Sequence, residues 1–174
     1  MTLRSIVVVP HEALNRKAKE IVNIDDSIRK LAADMANAMY KAPGVGLAAN
    51  QVAQLLRLIV VDVVYPYAES KNKKKNPIAL INPEIIKAEG KCVNEEGCLS
   101  VPDFGVDIER AECCQVRAVD LEGNPVNIDA EGLLARALQH EIDHLNGLTI
   151  LEHASFLKRD LYRRRLKKKA RKDR

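Results

Sequence analysis

Two histidines four residues apart, with a glutamate directly after the first, constrain this chain more than any other feature: Gln139-His140-Glu141-Ile142-Asp143-His144-Leu145-Asn146-Gly147. On a helix, His140 and His144 project from one face, about 6 Å apart along the axis, which is the reach needed to hold one metal ion. Glu141 stands beside that pair rather than in line with it. Its carboxylate can therefore meet a water on the metal without becoming a ligand. The stretch reads as hydrolytic chemistry. Coincidence can also write such a pattern, and His11-Glu12-Ala13-Leu14-Asn15 begins the same way without the second histidine. Gly147, just past the last periodic residue, is a normal helix stop and supports a helix that ends here.

At 174 residues, 47% of them hydrophobic, the chain suits one domain with a sizeable core. No apolar run approaches a membrane span, and Ile6 to Val9 is too short for a signal peptide and reads as a first strand. Four cysteines, Cys92, Cys98, Cys113 and Cys114, without a secretory leader point to a reducing compartment, and cytoplasm is the expectation. The net charge of +4 is uneven: 11 of the 28 Lys and Arg lie from Lys158 onward with only Asp160 and Asp173 against them, so an acidic body carries a basic tail. Such a tail suggests an anionic partner, nucleic acid before membrane. We expect residues 1–157 to form the catalytic unit and 158–174 a basic C-terminal helix or tail of the same domain.

Along the chain, Asp25 or Asp26 caps a helix in which Ile28, Leu31, Ala32, Met35, Ala36 and Met39 recur at core-facing spacing. Gly44-Val45-Gly46 lets backbone approach a ligand, and Gln51 adds a side-chain amide. Without a third glycine or a Lys-Ser or Lys-Thr pair, nucleotide binding is disfavoured. Leu58 to Val64 reads as a strand and Tyr65 to Pro77 as a solvated excursion rich in lysine. Ile78 to Ile81, Ile85 to Ala88, Val106 to Ile108 and Cys114 to Val119 read as further strands, and Glu122-Gly123-Asn124 as a turn. Asp129 is expected to open the helix that carries the histidines. On it, Leu134, Leu138, Ile142 and Leu145 form one row, and Leu133, Ala137, His140, Glu141 and His144 the next. Both should be largely buried.

A hydrolytic metal usually takes three protein ligands and leaves one position open. Downstream only Glu152 is available, too close for a zincin-type third ligand, so cysteine is the better candidate. Cys98 sits in Glu95-Glu96-Gly97-Cys98-Leu99-Ser100-Val101-Pro102, whereas Cys113 and Cys114 are adjacent in a probable strand and, like Cys92, suit packing. Three separated stretches, Gly44 to Gln51, Glu96 to Ser100 and Gln139 to Leu145, together resemble in order and spacing the three motifs of the bacterial peptide deformylases. The likeness extends to Pro10, to Ile81-Asn82-Pro83 and to Arg110, and so covers the chain to about Leu157.

That resemblance implies an α+β fold in which mostly antiparallel sheets surround the central H-E-x-x-H helix, with an N-terminal amphipathic helix and a C-terminal helix, and it puts the first row of the central helix toward the site. It implies that Cys98, His140 and His144 hold one divalent metal ion per chain, Fe2+ first and Zn2+ or Ni2+ as alternatives. Glu141 is then the proton carrier, and Gln51 and the Leu99 backbone N–H stabilise the oxyanion. Val45, Leu133 and Ala137 line a slot for methionine, and backbone near Val45 and Gly46 holds an extended peptide. Glu96 and Arg110 are implied partners of a ligand imidazole. The substrate is an N-formylmethionyl nascent peptide, and the basic tail is a candidate for docking on ribosomal RNA, with no membrane involved. Gly105 falls where some family members place a peptide-contacting arginine, so preferences beyond methionine stay open. A zincin-type peptidase and a binding protein with a vestigial site are the rival readings.

Overall fold

The structure, a computed structural model, describes residues 5–65 and 74–172, with side chains to residue 168. The first helix, α1 (Asp26–Lys41), starts where Asp25 Oδ1 accepts from the backbone N–H groups of Ser27 at 2.9 Å and Ile28 at 3.1 Å. These bonds satisfy two donors that the helix cannot pair internally. Among the described residues seven strands follow: β1 (Gly46–Ala48), β2 (Leu58–Val61), β3 (Ile78–Glu89), β4 (Cys92–Cys98), β5 (Val101–Arg110), β6 (Cys113–Val119) and β7 (Pro125–Glu131). Then come α2 (Gly132–Leu145), the single turn α3 (Ile150–His153) and α4 (Phe156–Lys172). All strand pairs are antiparallel, in a five-stranded sheet ordered β1-β2-β3-β6-β7 and a two-stranded sheet β4-β5. The expected α+β class is what the chain adopts.

The larger sheet lies between two helices, and β2 shows why. Alternate strand residues face opposite sides. Leu58 and Val60 pack with Met35 and Met39 of α1, while Ile59 and Val61 pack with Leu138 and Leu145 of α2. A strand covered on both faces is apolar throughout, and all four residues of β2 are buried. Each such side chain contributes about 1.5–3 kcal/mol on leaving water. A third cluster joins Val101, Val106 and Ile108 of β5 to Ile150 and Leu151 of α3 and Tyr162 of α4.

Several sequence expectations need correction. Ile6 to Val9 forms no strand: Val7 N–H donates to Gln51 C=O in the short helix Ala49–Val52 and Val9 N–H to Ser100 C=O in the turn after Cys98, single bonds rather than a ladder. Leu58 to Val64 ends as a strand at Val61, because Asp62 turns the chain by accepting from the N–H groups of Val64 and Tyr65. The strands expected at Ile78 to Ile81 and Ile85 to Ala88 are one strand, which passes Pro83 within a register shift between Ile81 and Glu84 and shifts again between Ile85 and Lys87. Asp129 does not open α2. It pairs with Gln115 in the β6–β7 ladder, and the helix starts at Gly132, which has φ 56°. Most of the Tyr65 to Pro77 excursion, residues 66–73, lies outside the described residues.

Candidate active site

Strand β4 ends on Cys98, and the Leu99-Ser100 turn sends the chain back as β5, which tips the thiol over α2. Helix α2 presents His140 and His144 one turn apart. Cys98 Sγ lies 3.2 Å from His144 Nε2, and one donor atom from each of Cys98, His140 and His144 lies within 4.8 Å of the other two. An ion about 2.0–2.3 Å from each donor bridges atoms up to roughly 4.6 Å apart, so this cluster is close to the span one metal can close. One thiol and two imidazoles also form a donor set suited to a divalent transition metal. The residues present fit a metal.

Partners beyond the cluster fix its rings. His140 Nδ1 lies 2.9 Å from Glu96 Oε2, leaving Nε2 to face the centre. Arg110 grips Glu96 with two bonds, Nε to Oε1 at 3.0 Å and Nη2 to Oε2 at 3.1 Å, and its Nη1 donates to Asp143. Asp143 Oδ2 also lies 3.1 Å from His153 Nε2. Burial disfavours the charge on Glu96, but bonds from His140 and Arg110 overcome it and hold the carboxyl down at about 2. Burial likewise opposes charge on His140, yet Cys98 and Glu96 on its two sides raise it to about 10. The thiol and the carboxylate thus favour positive charge on the His140 ring, and a metal bound at Nε2 would take the place of that proton. His144, pushed well down by burial and by its neighbour His140, stays neutral, the form a metal requires.

Glu141 is buried and its Oε2 has no hydrogen-bond partner. Burial is the main cause of a carboxyl raised to about 7. Its closeness to β1 requires a glycine: a Cβ on Gly46 would stand 2.4 Å from Glu141 Oε1. Gln51 is aimed by its own carbonyl. Oε1 accepts from Ala48 N–H at 2.8 Å, which turns Nε2 toward Ser100 Oγ at 3.2 Å and Cys98 Sγ at 3.6 Å.

These groups open on a cleft of about 530 Å³ between β1, the β4–β5 turn and α2. Val45, Gly46, Leu133 and Ala137 line it, as do Gln51, Cys98, Leu99, His140 and Glu141, while His144 lies buried beneath. Every residue singled out in the sequence for the site is therefore found together. The helix face is the reverse of that expected: the row of Leu133, Ala137, His140 and Glu141 faces the cleft, whereas Leu138, Ile142 and Leu145 pack into the sheet. The core needs the fully apolar row, so the row carrying polar groups is left for the cleft.

The sequence reading missed Arg136, Asp143 and His153, and also Glu95, Asp103 and Phe104 on the cleft wall. Arg136 was findable, because it stands four residues before His140 and so shares its helix face. Glu152, set aside as a ligand, accepts from Thr149 N–H at 2.8 Å and caps α3.

Residues 3–160 match the sequence profile of the polypeptide deformylase family. A peptide deformylase of Desulfosudis oleivorans is 48% identical over 97% of this chain and 95% of its own length. The crystal structure of a peptide deformylase from Legionella pneumophila superposes with a TM-score of 0.88 at 44% identity, covering 99% of this chain and 98% of that one. That of the Ehrlichia chaffeensis peptide deformylase in complex with actinonin does so with 0.88 at 41%, covering 97% and 98%. Likeness of sequence and of fold over nearly the whole chain thus converges on one assignment: this chain belongs to the polypeptide deformylase family, metal-dependent hydrolases that remove the formyl group from the N-terminal formylmethionine of newly made polypeptides.

Proposed function

We propose that Cys98, His140 and His144 hold the metal, that it is Fe2+ with Zn2+ or Ni2+ able to substitute, and that Glu141 carries the protons of the reaction. The convergence of three donor atoms within 4.8 Å beside a buried carboxylate whose Oε2 has no hydrogen-bond partner among the described residues is the observation that carries this reading. When bound, the metal supplies Lewis-acid polarisation and acidifies water. Glu141 takes a proton from the attacking water as its oxygen bonds to the formyl carbon. As the C–N bond breaks, Glu141 returns that proton to the departing amine, leaving formate and a free N-terminus. A carboxyl raised by burial and drawn toward its ionised form by a nearby cation is matched to both transfers. The amide of Gln51, held by Ala48, and the Leu99 backbone N–H donate to the oxygen that gains negative charge.

The peptide binds as an added strand. β1 is an edge of the five-stranded sheet, and Val45 and Gly46 border the cleft there, so their backbone pairs with the extended substrate. Val45, Leu133 and Ala137 line the methionine slot. The rival peptidase reading expects cleavage of unformylated peptides. Formate release from formyl-Met-Ala-Ser, with no cleavage of Met-Ala-Ser, is the test that separates the two. Gly46→Ala is expected to lower kcat at least tenfold with metal content retained, because its methyl occupies the place of the Glu141 carboxylate. Unchanged kcat, measured with metal analysis, would remove the crowding argument.

We assign residues 1–157 to the catalytic unit and 158–174 to a basic helical extension of the same domain. We assign the enzyme to the cytoplasm, where its substrates are made; no helix among the described residues is long and apolar enough to cross a membrane. The outer face of α4 combines exposed Phe156 and Leu157 with exposed Arg163 and Lys167, a surface suited to ribosomal RNA. Binding there is expected to fall with rising salt, and deletion after Leu157 to reduce co-sedimentation with ribosomes at low salt. Unchanged co-sedimentation would exclude this docking mode.

A further inference from the structure

Helix α4 has a second, inward face. Lys158, Leu161, Tyr162 and Arg165 recur at helical spacing on the side that meets β5. Tyr162 is buried there: its hydroxyl donates to Pro102 C=O at 2.8 Å, and its ring stacks obliquely on Phe104 with centroids 4.8 Å apart. Arg165 Nη2 donates to Asp103 C=O at 2.6 Å, and Lys158 Nζ lies 5.5 Å from the centre of the Phe104 ring. Between helix and strand runs an open groove of about 380 Å³.

This groove continues the catalytic cleft. Asp103 and Phe104 line both, so the same two residues form the wall between them. Gly105 borders the groove and brings no side chain to it. Cations are supplied instead from α4, by Lys158 and Arg165, against the single carboxylate of Asp103. The groove's own lining is therefore net positive by one, with Glu95 on the cleft side of Gly105, and has an aromatic and aliphatic floor in Phe104, Tyr162 and Leu161. A peptide held at β1 with its N-terminus at Cys98 has to leave the cleft along one of its walls.

We propose that the groove between β5 and α4 is a downstream subsite for the same substrate, which takes residues of the formylated chain beyond the third and favours acidic side chains there. The proposal rests on the deformylase reading of the cleft. Backbone and apolar contact come from Phe104 and Leu161, and Lys158 and Arg165 attract the carboxylates. Because Lys158 and Arg165 are exposed, the preference is modest and falls with salt.

The test compares kcat/KM for formyl-Met-Ala-Ser-Glu-Glu-Ala and formyl-Met-Ala-Ser-Lys-Lys-Ala, in the full chain and in Lys158→Glu, with formyl-Met-Ala-Ser as reference. In the unsubstituted protein the acidic peptide is expected to be favoured about three- to fivefold at low salt, with the advantage shrinking at high salt. Lys158→Glu should bring the ratio to one or invert it. Each protein is its own control, since the ratio does not depend on the fraction of active enzyme. Equal values for both hexapeptides, unchanged by Lys158→Glu while formyl-Met-Ala-Ser is turned over, would overturn the subsite and leave the deformylase reading intact. If none of the three peptides yields formate, both fall together.

Discussion

Glu141→Gln is expected to lower kcat for formate release by about two to four orders of magnitude, the range that a positioned proton carrier contributes. Glutamine keeps the shape of the side chain, so the cleft and metal content should be retained and KM should change little. What it cannot do is accept a proton from water or deliver one to the amine. The native Glu141 Oε2 has no hydrogen-bond partner among the described residues, so the substitution breaks no bond at that oxygen. The pH profile carries the same information. A base must be ionised to act, so activity should fall as pH drops below the pKa of Glu141 in the loaded enzyme, and that acid limb should be absent in the glutamine variant. Activity within tenfold of the parent, with metal retained, would mean that the proton is moved by another group.

Cys98→Ser is expected to lose the metal. A hydroxyl does not ionise under conditions where a thiol does, and it is a poor donor to a transition metal beside two imidazoles. The loss of affinity should exceed about a hundredfold, the upper end of what removal of a mere outer partner costs. Cys113→Ser is the matched control, because Cys113 is exposed on β6 and remote from the cluster. Competition with a chromogenic chelator under anaerobic conditions measures both. If Cys98→Ser held its ion as tightly as the parent while Cys113→Ser released it, the ligand set would have to be redrawn.

The candidate metal cluster was legible in part because its physics is local. His140, Glu141 and His144 depend only on helical spacing, and Asp25 and Gly147 mark helix ends by their own conformational preferences. The third candidate ligand was reached through likeness of motif, since nothing in the spacing of the chain says that Cys98 folds over α2. Long-range pairings were out of reach for the same reason. Arg110, Glu96, Asp143 and His153 come from β5, β4, α2 and α3 and meet only when the two-stranded sheet packs against α2 and α3. Strand limits failed where tertiary bonds override local preference. Val7 and Val9 have the composition of a strand but find one partner each, in Gln51 and Ser100. Asp129 has the chemistry of a helix cap but is taken by the ladder with Gln115. The orientation of α2 was misread because two adjacent faces are apolar, and only the fully apolar one can face the sheet.

The central claim is that one metal ion at Cys98, His140 and His144 makes this chain a deformylase. Metal content and formate release from formyl-Met-Ala-Ser, measured on the same anaerobically purified sample before and after chelation, test it most directly. The account predicts one ion per chain, formate release that disappears with the metal, and recovery on adding Fe2+. Undiminished formate release from metal-free protein, or none from fully loaded protein, would contradict it.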